Sequence, residues 1–260
     1  MQKLFPYPGG KWPIRHIIIA AFPPHTTYVD LFGGSAAIII AKEPSAGEVF
    51  NDKNEELVNF FRVVKHRRAE LTELARYWIH SRLLFDEIKN SPLPQNEVER
   101  AFIFWVKHSD SFAGMGENFG TARKGVKSVT HARKYLDDVS ERFAHVHIER
   151  FDFRKVIKLY DAAETFFYLD PPYPDTAGGK GNYDLLSEKD WIEMRDTLKS
   201  IKGKFLLSSN DHKMVRDLFK EFNTKVINVR VTLPREKKTS FRRELMISNY
   251  ELPKQMKKAA

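Results

Sequence analysis

Asp170-Pro171-Pro172-Tyr173 follows the apolar, β-branched and aromatic run Thr165–Leu169. Each proline fixes φ and removes a backbone donor, so the carbonyls here can only accept hydrogen bonds. A carboxylate, an acceptor-only backbone and an aromatic face in one stiff unit suit a planar group that carries an NH2. Asp170 and the Pro171 carbonyl would accept its two hydrogens while Tyr173 stacks on the ring; the other reading is a strand-ending turn with a surface tyrosine. A second constellation is Asp30-Leu31-Phe32-Gly33-Gly34-Ser35. Glycines between a strand and a helix let backbone approach a ligand closely. Asp52, about 20 residues on, is placed to accept hydrogen bonds from ribose hydroxyls. Alternatively, Gly33-Gly34 is an ordinary tight turn and Asp52 caps the next helix. Taken together, these residues point to a nucleoside-containing cofactor.

Those residues need strands behind them, and the chain supplies an alternation of short apolar runs and longer periodic stretches that reads as α/β architecture. Expected strands are Thr27–Leu31, Glu48–Asn51, Val146–Ile148, Thr165–Leu169 and Lys204–Ser208. Expected helices begin at Ser35 (through Ala41), span Asn54–Lys65, and run through Val215–Phe222. Ligands in open α/β sheets bind at the carboxyl ends of strands, so Asp170–Tyr173 and the glycine turn are expected at one sheet edge. Lys225–Leu233 and Glu244–Leu252 then predict an antiparallel hairpin, with Pro234–Arg243 as its turn. Between the second and third strands, helical segments at Ala69–Ile88, Gln95–Val106 and Val129–Phe143 surround a glycine- and cation-rich stretch, Ser111–Lys127. That stretch reads as an inserted, mainly helical subdomain.

With 260 residues, 42% hydrophobic and 30% charged, the chain has the balance of a folded domain carrying an insertion. Lys and Arg number 43 against 34 acids, a net charge of +9 that points to a polyanionic partner. The chain has no cysteine, which excludes a disulfide scaffold, a thiolate zinc site, an iron–sulfur cluster and a cysteine nucleophile. The run Ile17–Phe22 falls far short of the roughly 20 residues of a membrane helix, and it lacks the cleavage site of a signal peptide. It reads as a core-facing helix, and the protein as cytoplasmic. His108 beside Asp110, and His145 with His147, do not have metal-ligand spacing, and no metal is expected.

The chain resembles the Dam-like adenine-N6 DNA methyltransferases, which use S-adenosylmethionine. Phe5-Pro-Tyr-Pro-Gly-Gly-Lys11 is similar to their N-terminal aromatic–Gly–Gly–Lys motif, and Asp30–Ser35 to their glycine loop. Asn51-Asp52 resembles the ribose-binding acid, Asp152-Phe153 the pair that holds the cofactor adenine, and Asp170–Tyr173 the catalytic tetrapeptide. Leu207–Asn210 and Glu244–Tyr250 look like the later core strands. The resemblance implies a Rossmann-like sheet, mostly parallel with a C-terminal antiparallel hairpin. It assigns residues 1–59 and 145–260 to the catalytic domain and 60–144 to a target-recognition domain. Cofactor contacts implied are Tyr7, Gly10, Lys11, Asp30, Phe32, Gly33, Gly34, Ser35, Asp52, Asp152 and Phe153. Asp170, Pro171, Pro172 and Tyr173 are the implied catalytic residues.

The implied reaction moves a methyl group directly onto N6 of an adenine flipped out of duplex DNA, which costs a few kcal/mol. The expected partners are double-stranded DNA and a cognate restriction endonuclease; the enzyme would be a monomer or weak dimer, with no membrane partner. Arg123, Lys124 and Lys127 are candidate phosphate contacts, as are Arg235, Lys237, Lys238, Arg242 and Arg243 in the hairpin turn; both groups also fit a solvated surface. The glycine-containing loop Pro174–Tyr183 is expected to close over the base. Phe112–Gly120 lacks the Arg-Asn-rich hairpin of Dam-like enzymes, so their target sequence does not carry over. Cytosine N4 and RNA offer the same amine chemistry. A catalytically silent DNA-binding module would be expected to have lost the acid or the aromatic of residues 170–173. A dehydrogenase would want a fuller G-x-G-x-x-G loop than Phe32–Ala37.

Overall fold

The computed structural model describes residues 1–120, 129–174, 185–232 and 239–254. Their strands are β1 (Thr27–Asp30), β2 (Gly47–Asn51), β3 (Val146–Glu149), β4 (Thr165–Leu169), β5 (Lys204–Asn210), β6 (Asn223–Thr232) and β7 (Thr239–Ser248). They form one sheet in the order β3-β2-β1-β4-β5-β7-β6. The β1–β4, β2–β3 and β4–β5 pairs are parallel, while β7 runs antiparallel to both β5 and β6. This is the mostly parallel Rossmann-like sheet with a C-terminal antiparallel hairpin that the sequence predicts. Strand order reverses between β1 and β4, the place where an open α/β sheet binds ligands. All five residues of β4 are buried, as a central parallel strand covered on both faces requires.

By backbone contacts the chain divides into two compact units. One comprises Met1–Arg15, Gly33–Pro44 and Glu48–Phe151. The helical insert therefore belongs to the same unit as the N-terminal segment, the glycine turn and β2. Its core is aromatic: Phe61 stacks on Phe143 at 4.9 Å, Phe50 lies 4.8 Å from Phe61, and Phe5 meets Phe60 edge-on at 5.2 Å. Trp105 donates its indole N–H to the Leu4 carbonyl at 3.0 Å, tying the N-terminal segment to the helix Glu97–Asp110. Asn54 caps the helix Glu55–His66 by accepting from Leu57 N–H. Within the same unit, buried Glu48 at the start of β2 accepts from Lys42 at 2.5 Å and from Arg142. Burial raises the Glu48 pKa, and these two cations outweigh it, so the carboxyl lies below its ordinary range.

The other unit comprises His16–Phe32, Ser45–Gly47 and the described residues from Asp152 onward. It holds β1, β4, β5, β7 and β6 with the helices Phe153–Tyr160, Glu188–Ser200 and Lys213–Leu218. Ser187 and Asp190 form a reciprocal capping box at the second of these helices. Among the described residues no helix is long and apolar enough to cross a membrane. The run Ile17–Phe22 enters the core through Ile18 and Ala21, but its helix covers only Arg15–Ile19.

Several expected elements shift. The helix expected from Ser35 is Ala37–Ala41, because Ala36 adopts a left-handed conformation (φ 54°) and its N–H closes a turn on Gly33. Ala69–Ile88 is broken into Arg68–Arg76 and Arg82–Asn90. The interruption delivers Trp78 Nε1 (2.7 Å) and His80 Nδ1 (3.1 Å) to the buried carboxylate of Asp110. Val129–Phe143 splits into Val129–Ala132, a 3-10 turn and Leu136–Phe143. β7 begins at Thr239, so Arg242 and Arg243 are strand residues and not part of the turn.

His108 lies against Phe104 (4.4 Å), Tyr7 (5.1 Å) and Phe5 (5.8 Å), with Nδ1 2.6 Å from the Gly114 carbonyl. Burial pushes its pKa down to about 4, more than the Gly114 carbonyl raises it. A neutral imidazole thus stabilises the fold fully above about pH 6.5, and that contribution is lost as pH falls towards 4, to a limit of roughly 3 kcal/mol. Thermal melts should show wild type losing stability between pH 6.5 and 4.5, with a flatter profile for His108→Gln. An imidazole that titrates near 6.5 by NMR would refute this.

Candidate active site

The parallel register pairs Leu169 of β4 with Leu207 of β5, which brings Asp170, the next residue, level with Ser208. Ser208 Oγ is 2.9 Å from Asp170 Oδ1, and the Tyr173 hydroxyl donates to the same oxygen at 3.1 Å. The Tyr168 hydroxyl lies 3.0 Å from Ser208 Oγ, so Tyr168, Ser208 and Asp170 form a chain of hydrogen bonds across two adjacent strands. Ser208 is buried, Asp170 half-buried. Burial, and then the charge of Asp170, push the Tyr168 and Tyr173 hydroxyls well above their ordinary pKa, so both remain phenols that can donate. Asn210, at the end of β5, donates to the Pro174 carbonyl at 3.1 Å and fixes the exit from the tetrapeptide. Tyr173 is 7% exposed, so its ring is packed into the protein and not displayed at the surface as a turn tyrosine would be.

At the end of β1 the buried Asp30 accepts from Tyr28 at 3.2 Å. Phe32 lies 5.9 Å from Phe153, whose ring also has the Arg154 guanidinium over it at 4.4 Å. Asp152 caps the helix Phe153–Tyr160 by accepting from Arg154 N–H and also pairs with the Arg154 side chain, each at 3.0 Å.

In the other unit, the glycine turn and Asp52 close on each other. Asp52 accepts from Gly34 N–H at 3.0 Å and from Asn54 N–H at 2.9 Å, and Gly33 N–H donates to the Asn51 carbonyl at 2.8 Å. A Cβ on Gly33 would lie 2.2 Å from the Phe50 ring, and Gly34 takes φ 50°, so glycine is demanded at both positions. Burial raises the Asp52 pKa against the pull of the amides of Asn54, Gly34 and Lys53. Asn51 holds β2 to the segment after β3, donating to and accepting from the Phe151 backbone. The buried Lys11 donates to the Gly9 carbonyl at 2.9 Å, and Gly10 N–H to Tyr7 at 3.0 Å. Ser35 is buried in the same unit.

The turn's amides are thus satisfied within the protein, and an acid stands beside them. A phosphate would meet a carboxylate there and find neither Gly33 nor Gly34 N–H available. A phosphate-free nucleoside fits better, because a carboxylate such as Asp52 has about four lone-pair sites and retains some for ribose hydroxyls after accepting from these amides. This separates the site from a dinucleotide-binding loop.

The structure places Asp170, Pro171, Pro172, Tyr173, Asp30, Phe32, Asp152 and Phe153 in one unit, and Tyr7, Gly10, Lys11, Gly33, Gly34, Ser35 and Asp52 in the other. Arg123, Lys124, Lys127, Arg235, Lys237, Lys238 and most of the loop Pro174–Tyr183 lie outside the described residues. Arg242 is described, and it pairs with Glu244 on the same strand. Sequence reasoning passed over Ser208, Asn210 and Glu244 as functional residues. The polar run Ser208-Ser209-Asn210 ending a buried strand was the available signal.

A reversed α/β sheet with an acid–proline–proline–tyrosine unit after β4 fits a methyltransferase acting on an exocyclic amine. The chain belongs to the D12 class N6 adenine-specific DNA methyltransferase family, which residues 7–233 match. It is 25% identical over 271 residues to the Type II methyltransferase M1.LlaDCHI of Lactococcus lactis subsp. cremoris, covering 93% of each chain. Among solved structures it is similar to precorrin-6y C5,15-methyltransferase from Geobacter metallireducens GS-15 (11% identity, 92% of this chain and 87% of that one, TM-score 0.41). Precorrin 8w decarboxylase from Methanobacterium thermoautotrophicum is a further match (9% identity, 90% and 88%, TM-score 0.40).

Ser208→Ala removes the neighbour-strand donor to Asp170. A lost hydrogen bond costs about 1 kcal/mol of stability, whereas a misdirected acceptor costs roughly 10- to 100-fold in rate. Single-turnover methyl transfer should fall by that factor with cofactor affinity unchanged. An unchanged rate would dismiss Ser208 as a positioning group.

Proposed function

We propose that this D12 class methyltransferase methylates N6 of a flipped adenine in a specific duplex DNA sequence, with Asp170 and the Pro171 carbonyl as the two acceptors of the target amine. The observation that carries this reading is the hold of Ser208 and Tyr173 on Asp170 Oδ1. An adenine amine is a poor nucleophile because its lone pair is delocalised into the ring. Two fixed acceptors that draw on both N–H bonds oppose that delocalisation and aim the lone pair, which is catalysis by positioning and preorganised dipoles. The ring of Tyr173, buried and bonded to Asp170 in this structure, would be uncovered to stack on the flipped base, a contact worth roughly 1–3 kcal/mol.

S-adenosylmethionine supplies an electrophilic methyl group when bound. Asp52 would accept from its ribose hydroxyls, and the close backbone at Gly33 and Gly34 would admit the nucleoside without offering it a phosphate site. Tyr7, Gly10, Lys11 and Ser35 would line the amino-acid end. Asp30, Phe32 and Phe153 are proposed contacts, and Asp152 would use lone pairs left after capping its helix. Residues 60–144 are the proposed target-recognition segment. The net charge of +9 supports attraction to phosphates at any sequence, with Arg123, Lys124, Lys127, Lys237 and Lys238 as candidate contacts. The name of the lactococcal relative supports a restriction endonuclease as cognate partner, and DNA as substrate supports a cytoplasmic setting.

Wild-type protein with tritiated S-adenosylmethionine should label plasmid DNA, and sequencing of the modified bases should find N6-methyladenine in one short context. Asp170→Ala should lower transfer by roughly 100- to 1,000-fold with the cofactor still bound. Label found only at cytosine N4 or only in RNA would overturn the adenine assignment, and DNA binding with no label would indicate a silent module.

A further inference from the structure

β7 lies next to β5, and the register sets Asn210 opposite Glu244 and Ser208 opposite Met246. Residues directly opposite in a ladder share a face, as do residues two apart on one strand. Asp170, Ser208, Asn210, Glu244 and, two residues before it, Arg242 therefore belong to one face, at the carboxyl ends of β4 and β5 and the middle of β7. Glu244 is fully buried, and among the described residues its Oε2 has no hydrogen-bond partner. Its Oε1 accepts from Arg242, whose side chain is 47% exposed. A buried carboxylate is expensive unless a cation and hydrogen bonds compensate it, and a strand gains nothing in stability from carrying one here.

We propose that Arg242, anchored by the buried Glu244, is a positioning residue of methyl transfer: its guanidinium balances the Asp170 and Glu244 carboxylates that the sheet gathers on one face and holds Asp170 and Tyr173 in their working arrangement. The proposal rests on the reading of Asp170 as the amine acceptor. Burial works against the charge of Arg242, but the fields of Glu244, Tyr173 and Asp170 prevail and raise its pKa. Tyr173 in turn feels both Asp170 and Glu244. An arginine committed in this way differs from a phosphate contact in what its loss changes. Loss of a phosphate contact weakens DNA binding at every sequence and lowers the salt dependence by about one charge. Loss of a positioning group slows the reaction of DNA already bound.

The test measures single-turnover methyl transfer at saturating DNA, and DNA affinity across a salt series, for Arg242→Gln, Arg242→Lys and Glu244→Gln, with melting curves for each. Arg242→Gln should react about 100-fold more slowly, with its DNA Kd within about threefold of wild type and its salt slope unchanged. Arg242→Lys, which keeps the charge, should recover most of the rate, and Glu244→Gln should fall between. A normal rate for Arg242→Gln overturns the proposal, whether or not Glu244→Gln folds. A weaker Kd with a shallower salt slope would mark Arg242 as a phosphate contact instead. The reading of Asp170 fails separately, if Asp170→Ala transfers methyl groups as fast as wild type.

Discussion

A carboxylate at the end of a strand has no direction of its own, because its χ angles are free unless something holds them. Here the hold comes from the adjacent strand: Ser208 of β5 reaches Asp170 Oδ1, and Tyr168 of β4 reaches Ser208 in turn. The geometry of the acceptor is thereby inherited from the register of β4 against β5, which is among the stiffest features of an α/β protein. Tyr173 closes the arrangement from within the tetrapeptide, since the two prolines before it leave the backbone few alternatives. Asn210 then fixes the carbonyl of Pro174, so the chain leaves the unit along a set path. Precision under the proposed chemistry comes from parallel-sheet pairing more than from any one side chain.

Charge is distributed with the same economy. Where Glu48 is buried it has Lys42 and Arg142 as partners, and the three form a structural group within one unit. In the middle of β7, Glu244 has one arginine, and that arginine stays half in solvent. The glycine turn shows the opposite treatment of an acid, with Asp52 held by backbone amides. That choice consumes the donors a phosphate would need and leaves an acceptor for hydroxyls. The same sheet architecture serves dinucleotide enzymes, so the local disposal of Gly33 and Gly34 N–H groups decides the kind of nucleoside ligand more than the fold does.

Strands were the most legible part of the sequence. Thr165–Leu169 is apolar, β-branched and aromatic throughout, and it is a strand over those residues. The helix expected over Asn54–Lys65 is present as Glu55–His66, and Asn54 lies just outside it as the cap, accepting from Leu57 N–H. What could not be read were interruptions with a tertiary cause. Ala69–Ile88 has helical composition, and only the buried Asp110 explains why the chain breaks to deliver Trp78 and His80 to it. Likewise, Ala36 is a good helix former in a left-handed turn because its N–H closes on Gly33. Asp170–Tyr173 was legible as a unit since its residues are consecutive. Ser208 and Glu244 were not, because their relation to Asp170 exists only once β5 and β7 are in register.

The difference between Asp110 and Asp170 shows why burial alone does not mark a reacting group. Asp110 is the more deeply buried, and it receives an indole N–H and an imidazole in a hydrophobic subdomain. Trp78 and His80 both come from one short connecting segment, Tyr77–Ser81, and the work of Asp110 is to hold that segment. Asp170 receives its donors from a strand, Ser208, and from its own turn, Tyr173, and both converge on the same oxygen. Trp78 and His80 also meet a single oxygen of Asp110, so what sets Asp170 apart is a donor fixed by strand register beside a carboxylate that is only half-buried. Target amines need an acceptor that is rigid before they arrive, since any reorganisation at that moment is added to the barrier. A sheet end with a serine on the next strand meets that demand, and a loop acid of equal burial would not.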